Sequence, residues 1–422
     1  MEALPKIPDY LILEHDVASI LQAQEQHGWY FDERTAWKLE SSLRAELQEI
    51  DKVLRDKHPY VFGSEFTPKR PNKTQGYVKG CPFTKLKELN TTSRDHISWI
   101  LQTFYGWIPT QMTTTGKPVI DEVILKDIGT EPATQFLRIL TITKMLGMIS
   151  EGANAWLKLV TKSRIHHHCS IATSTGRCAH RNPNLAQVPS DERFRELFIP
   201  TPGQVMVGAD LSGIELRMLA HYLSRYDSGR YARILLEDDI HQVNADRIGI
   251  SRRAVKTVTY AFLYGAGDQK IGLSYDPQLS ASAAKRKGKE IKEAFVAAID
   301  GLSDLLDAIK TAAERGFVKA IDGRKVIVDS PHKALNYLLQ SSAGVMAKRW
   351  MVINHQNIKE LQLCCSQLGF IHDELQFECE PKHAEDLCSS LVLSSLQAGE
   401  YYNLRIKIES EATKGSTWKD TH

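Results

Sequence analysis

The segment GFIHDELQFECE, Gly369 to Glu380, alternates apolar Leu375, Phe377 and Cys379 with polar Gln376, Glu378 and Glu380. A period of two predicts a half-buried strand. Gly369, Phe370 and Ile371 read as the end of another strand, so His372, Asp373 and Glu374 fall at the tip of an apolar hairpin. Adjacent carboxylates repel and favour neither strand. A solvated turn is one explanation, since Asp is common in turns. The other is a positive group at the tip, a metal ion, which requires a second carboxylate from elsewhere.

That carboxylate is Asp210, at the end of the short apolar strand predicted in GQVMVGAD. An acid ending a buried strand is costly without a partner. The chain continues through ADLSGIELR into an amphipathic helix that carries Glu215. Asp210 and Asp373 both stand at strand-to-turn junctions, so one sheet would bring them together despite their separation. Two carboxylates on rigid elements, with coordination positions left open, suit Mg²⁺, which takes oxygen ligands and keeps waters or substrate phosphates.

A third element is SRRAVKTVTYAFLYGAG, Ser251 to Gly267. Arg252, Lys256, Tyr260 and Tyr264 recur every four residues, which on a helix places them within an arc of about 120° over roughly 18 Å. One face then carries two cations followed by two rings. A surface helix with inward tyrosines would show the same spacing. The functional alternative is a triphosphate gripped by Arg252 and Lys256, with Tyr260 and Tyr264 against sugar and base. Together the three elements fit in-line phosphoryl or nucleotidyl transfer between metal ions about 3.5–4 Å apart. Such chemistry asks the protein mainly to position groups and neutralise charge.

The remainder of the 422-residue chain is compatible with such an enzyme: 42% hydrophobic and 25% charged residues are enough for a sizeable core. Its length suits a few structural units or one large core with subdomains. No apolar run is long enough to span a bilayer, and the opening MEALPKIPDYLILEHD lacks the pattern of a signal peptide. The seven cysteines are odd in number and form no Cys-x-x-Cys pair. Free thiols are expected rather than a disulfide frame or a zinc site. His166, His167 and His168 invite a metal reading, but neighbours on a strand point to opposite faces, so the three cannot share one ion.

Lys and Arg total 53 against 51 for Asp and Glu, a net charge of +2. Distribution says more than the sum. Lys69, Arg70, Lys73, Lys79, Lys85 and Lys87 fall within Phe66 to Lys87 with no acid among them, and Lys285, Arg286, Lys287, Lys289 and Lys292 form a second cluster. Either is ordinarily a solvated loop or helix face. Along the chain, helical periodicity runs from about Leu11 to Lys57 and again from a cap at Thr92 or Ser93. Between them, His58 to Thr92 reads as a long loop. Strand character begins at Ile165, residues 240–320 are mostly helical, 321–330 strand-like and 332–360 a long helix.

In chain order, DLSGIELR, RRAVKTVTYAFLYG and IHDE resemble the three signature motifs of the family A (pol I-like) DNA polymerases. STGRCAHRNPNLAQVPS resembles the segment that precedes them, and SPHKALNYLLQSSAG resembles the helix with template- and primer-reading residues. The resemblance covers about Glu14 to Trp418 and is nearest to the replicative polymerases of T-seven-like bacteriophages. It implies an α+β right hand: an N-terminal segment and helical thumb over 1–164 with a short basic loop at 58–92, palm over 165–240 and 321–422, and fingers over 241–320. It implies DNA-templated extension of a primer 3′ end with dNTPs and two Mg²⁺ ions, in phage genome replication within the bacterial cytoplasm.

By the same resemblance Asp210, Asp373 and the Leu211 carbonyl are metal ligands, and Glu374 a supporting acid. Arg252, Lys256 and His241 hold the triphosphate, with Lys256 also placed to protonate the leaving pyrophosphate. Tyr260 lies against the sugar, and Glu215 hydrogen-bonds that tyrosine and blocks a 2′-hydroxyl. Tyr264 occupies the template-base position until the fingers close. Arg177, Asn336, Gln340 and His372 reach minor-groove acceptors shared by all correct pairs.

The implied partners are primer-template DNA and dNTPs, with no membrane. Family members usually carry an upstream 3′–5′ exonuclease domain with an Asp-x-Glu cluster, and no such cluster precedes the thumb here. A separate exonuclease subunit, or a domain cut away, is the expectation, with no proofreading by this chain. In phage relatives a much longer insertion at 58–92 binds host thioredoxin. Here the segment is short, so contact of Lys69, Arg70 and Lys73 with DNA is expected instead. A single-subunit RNA polymerase would share the two acids and the Lys…Tyr-Gly helix, but Glu215 and the His-Asp-Glu tip speak against it. A non-catalytic accessory protein would not need the intact set Asp210, Asp373, Lys256 and Arg252.

Overall fold

The structure, a computed structural model, describes residues 7–277 and 279–422. The chain forms two compact units: Ala36–Ala155, and a larger one of Trp156–His422 with the residues up to Thr35.

In the smaller unit, helices Arg94–Tyr105 and Glu131–Leu146 bury Ile97, Leu101, Phe136 and Ile139 in one core with Leu54 of the Glu33–Lys57 helix. Ser93 is the cap expected for Arg94–Tyr105, accepting from the His96 amide. The His58–Thr92 segment is not the loop its composition suggested. Tyr60–Phe66 and Phe83–Glu88 pair as an antiparallel hairpin, with an irregularity between Phe62 and Glu65. That break at Gly63 and Ser64, and the exposure of most residues in both strands, erase the alternation that would have revealed them. The rings of Phe66, Tyr77 and Phe83 pack edge to face at the hairpin's loop end. Lys69, Arg70 and Lys73 are exposed in the intervening loop.

The larger unit is organised around a four-stranded antiparallel sheet in the order Cys365–Ile371, Glu374–Cys379, Val205–Leu211, Ser410–Gly415. Glu374–Cys379 is therefore an inner strand, and all six of its residues are buried. The half-buried strand inferred from its alternation is corrected here, because the polar face is covered as well. Gln376 exchanges hydrogen bonds with Thr421. Glu378 accepts from the Thr201 amide at 2.7 Å and pairs with His27 at 2.6 Å. Buried polar groups with such partners avoid the desolvation penalty that the alternation alone would have implied.

The Leu11–Lys57 periodicity is interrupted. The Asp9–His27 helix stops at Gly28, φ 70°, and Trp29–Phe31 pairs with Arg164–Ile165 and Phe198–Ile199. A Cβ at Gly28 would stand 2.7 Å from His166 Nδ1, so this position needs glycine for space as well as for its left-handed backbone. The Asp9–His27 helix packs on the Ala334–Glu360 helix and the Cys365–Ile371 strand. Lys348, 1% exposed on that long helix, is held there by Glu14 at 2.6 Å.

Residues 240–313 are helical as expected, in five helices from Ile240–Ile248 to Leu302–Ala313. Asp268–Tyr275 and Ala281–Ala298 touch backbone to backbone: a Cβ at Gly288 would lie 1.7 Å from the Asp268 carbonyl oxygen. The strand-like stretch resolves into Lys325–Ile327 paired with Phe317–Lys319. The seven cysteines are free. No helix among the described residues is long and apolar enough to cross a membrane.

Candidate nucleotidyl-transfer site

Sheet register brings the two acids together. Glu374 pairs with Asp210 across the inner strands, and the Leu211 amide donates to the Asp373 carbonyl at 3.0 Å. The reversal is made at His372 and Asp373, with His372 in the left-handed region at φ 61°. Burial, then the charges of Glu215 and Asp210, push the Asp373 carboxyl up to about 7. Asp210 is also raised, by burial and then by Glu374. Carboxylates that disfavour one another's charge at the rim of a sheet are relieved by a proton or a bound cation. The two carboxylates offer oxygen donors, as a hard divalent ion requires.

Glu374 has a different situation from its neighbour. It is 6% exposed. Its Oε1 accepts from Trp418 Nε1 at 2.6 Å and from Gln376 Nε2 at 2.8 Å, and Oε2 lies 3.0 Å from His422 Nδ1. It therefore anchors the C-terminal turn to the sheet beneath Asp210. Glu374→Ala should leave the Trp418 N–H buried and unsatisfied, at a cost of about 1–3 kcal/mol, while the Gln376 amide loses one bond and keeps its bonds to Thr421. A fall in melting temperature larger than for an exposed control such as Glu385→Ala is the expected result.

Glu215 reaches the same rim from the first turn of Ile214–Leu223. Its expected hydrogen bond to Tyr260 is replaced. Glu215 Oε1 accepts from Arg177 at 2.6 Å and from the Tyr264 hydroxyl at 3.2 Å. Arg177 supplies the charged donor, and Tyr264, at the helix C-cap one turn beyond Tyr260, supplies the phenol. Tyr260 remains close: its hydroxyl is raised by burial and then by the charges of Glu215 and Asp373. Its ring packs against that of His241, centroids 6.1 Å apart.

The helix face read from the sequence exists. Arg252–Leu263 begins at Ser251, whose side chain accepts from the Ala254 amide. Arg252 and Lys256 are exposed. Arg252 is not free, however: its Nε donates to Asp239 Oδ2 at 2.6 Å. Asp239 also caps Ile240–Ile248, accepting from the His241 and Gln242 amides. These contacts, the Arg252 hydrogen bond first, hold its carboxyl below the usual range. Sequence reasoning missed Asp239, although Asp before a helix is an ordinary cap signal. Asn336 is buried and donates to the Leu263 carbonyl at 3.0 Å, tying the long helix to the end of the tyrosine helix. Gln340 is half-buried one turn further on, and His372 is exposed at the hairpin tip. Beside Gly265 and Gly267 opens a cavity of ≈ 500 Å³, with Phe262, His332 and Leu335 in its wall. Lys69, Arg70 and Lys73 belong to the other compact unit.

The family model for DNA polymerase family A matches residues 76–420. The chain belongs to that family. It is 31% identical to the DNA-directed DNA polymerase of Enterobacteria phage T3, over 97% of this chain and 70% of the relative, and equally to that of Escherichia phage T7. DNA polymerase I of Pseudomonas aeruginosa is 26% identical over 80% of this chain and 39% of its own length. Among solved structures, the POL domain of Pol1 from M. smegmatis in complex with DNA primer-template and dNTP aligns with TM-score 0.77 at 22% identity, covering 97% of this chain and 70% of that one. The family A chain described here is thus a DNA-directed DNA polymerase, a nucleotidyltransferase, with the α+β fold anticipated from its motifs. Family A polymerases use divalent metal ions, and the oxygen-rich rim is compatible with one.

Proposed function

We propose that this polymerase extends a primer 3′ end with dNTPs at the Asp210–Asp373 rim, and that the rim binds two Mg²⁺ ions through these carboxylates and the Leu211 carbonyl. The observation that carries the proposal is the sheet register that sets these acids side by side with a raised Asp373 carboxyl. The bound ions would lower the pKa of the attacking hydroxyl and neutralise the leaving oxygen.

The chain's own residues do the positioning. Arg252, Lys256 and His241 hold the triphosphate, and Lys256 gives a proton to the departing pyrophosphate. Asp239 keeps Arg252 extended until phosphate oxygens replace it, an exchange of one anionic partner for another. Tyr260 lies against the sugar. Glu215, held by Arg177 and Tyr264, closes the space a 2′-hydroxyl would need. Tyr264 stands in the template-base position until the fingers move, and Arg177, Asn336, Gln340 and His372 address minor-groove acceptors. In this assignment 1–164 is the N-terminal segment and thumb, 165–240 and 321–422 the palm, and 241–320 the fingers. Phage genome replication in the bacterial cytoplasm is the corresponding biological setting, supported by the phage relatives.

Sugar choice tests the assignment. Wild type should use dNTPs and exclude rNTPs, and Glu215→Ala should raise ribonucleotide incorporation by about 10–100-fold. Equal use of both sugars by the wild type would point to an RNA polymerase and remove the pocket assignment.

Lys69, Arg70 and Lys73 form an exposed basic loop that we assign to the product duplex. Each phosphate contact contributes a slope of roughly −0.9 in log K against log salt, so replacing all three with Ala should flatten that slope by about two to three units. Products per binding event should shorten, with single-nucleotide insertion nearly unchanged. An unaltered slope and length would exclude the DNA grip. If the variant also failed to retain a separately encoded exonuclease, the loop would be a docking site for that subunit.

A further inference from the structure

The His166–His167–His168 run cannot bind one ion as a triad, and the structure separates its members. His166 Nδ1 lies 2.8 Å from the Glu25 carbonyl and His168 Nδ1 2.8 Å from the Glu25 carboxylate. His167 turns the other way, into the protein, where it is 0% exposed. It shares that face with Cys169, two residues on, because side chains of one strand recur on a face every second residue. In the hairpin of His168–Ser170 with Ala179–Arg181, Cys169 pairs directly with His180. Register therefore gathers two imidazoles and a thiol from three positions that no contiguous motif connects.

We infer that His167, Cys169 and His180 form a second metal site of this polymerase, one that takes Zn²⁺ and lies outside the Asp210–Asp373 rim. One ring nitrogen from each histidine and the Cys169 sulfur all lie within 4.8 Å of one another. Cys169 Sγ is already 3.3 Å from His180 Nδ1. Zinc bonds of about 2.3 Å to sulfur and 2.0–2.1 Å to nitrogen set tetrahedral edges of roughly 3.3–3.7 Å, so the widest pair closes by at most about 1.5 Å. The Gln24 amide nitrogen donates to Cys169 Sγ at 3.6 Å and stands 3.3 Å from His167 Nε2, so an ion must displace this donor to reach both ligand atoms. Gln367 Nε2 fixes that amide by donating to its oxygen at 2.8 Å.

The donor set favours an ion over a merely packed core. The remaining ring nitrogens, His167 Nδ1 and His180 Nε2, are buried with no hydrogen-bond partner among the described residues. The donor chemistry also selects: thiolate with imidazole suits Zn²⁺ and disfavours Mg²⁺ or Ca²⁺. On binding, the Cys169 S–H bond breaks, the sulfur pair becomes the Zn–S bond, and the proton leaves to solvent. The consequence is structural. The same hairpin carries Arg177 in its connecting loop, and the His180 ring meets His372 edge-on at 5.8 Å. An ion here would brace the platform beneath two residues assigned to the primer-template duplex.

The test uses the whole chain without an affinity tag. After loading with Zn²⁺ and dialysis, wild type and His168→Ala should each retain about one equivalent by elemental analysis, and so should Asp210→Asn, which spares this site. Replacing Zn²⁺ with Co²⁺ should give a thiolate-to-cobalt charge-transfer band in the wild type. Cys169→Ser and His180→Gln should lose the band and bind zinc at least about tenfold more weakly. Wild type should also melt at a higher temperature with Zn²⁺ than with chelator, a shift absent from Cys169→Ser. A wild type that retains no zinc, or a cobalt spectrum unchanged in Cys169→Ser, overturns the site. The wild-type measurements decide the matter even if a variant folds poorly.

Discussion

Asp210→Asn or Asp373→Asn should abolish primer extension, with a rate loss of roughly 10³-fold or more, because each removes a charge proposed to bind the ions at the reacting phosphate. Binding of primer-template should stay within about threefold, since neither carboxylate is assigned to DNA phosphates and removing an acid lowers repulsion of the backbone. Asp373 lies among like charges, with Glu215 and Asp210 both raising its carboxyl. A neutral amide there relieves that repulsion. In chelator, then, Asp373→Asn should melt no lower than wild type, and Mg²⁺ should stabilise the variant less. Lost extension with retained stability and binding separates a chemical role from a folding defect. Extension at the wild-type rate by either variant would contradict the assignment.

Wild type should accept dideoxynucleotides, and Tyr260→Phe should reject them, by about 10–100-fold in incorporation relative to the matching dNTP. A nucleotide without a 3′-hydroxyl leaves a polar gap beside the triphosphate, and a phenol at position 260 can fill it. Glu215 and Asp373 both act on this hydroxyl electrostatically, and the ring lies beside that of His241, centroids 6.1 Å apart. Single-turnover incorporation of a ddNTP and its dNTP on one template gives the ratio. The dNTP rate itself should change little. A ratio unchanged in Tyr260→Phe would move the sugar contact elsewhere, with Tyr264, already bonded to Glu215, as the next residue to test.

What the sequence revealed about this site was local. The helix face of Arg252, Lys256, Tyr260 and Tyr264 is a spacing of four, and a helix forms wherever the cap at Ser251 and the apolar stripe permit it. Asp210 and Asp373 were legible as strand-end acids, and antiparallel pairing did the rest. What escaped were partnerships across sequence. Glu374 looked like a second acid at the tip until Trp418, 44 residues away, was seen to hold it. Glu378 looked solvent-facing because nothing nearby announced Thr201 and His27 as its cover. The Arg177–Glu215 bond spans 38 residues and diverts Glu215 from the expected tyrosine. The hairpin at Tyr60–Glu88 escaped for another reason: its strands bury so little that they carry no alternation to read.

The most direct test of the central claim is templated single-nucleotide incorporation by this chain in Mg²⁺, with each of the four dNTPs offered against each template base. Rapid mixing of enzyme-bound primer-template with one dNTP should lengthen the primer by one nucleotide only when the base is complementary, and chelator or Asp373→Asn should stop the reaction. A primer left unextended by the complementary dNTP, or extended equally by all four, would contradict the account.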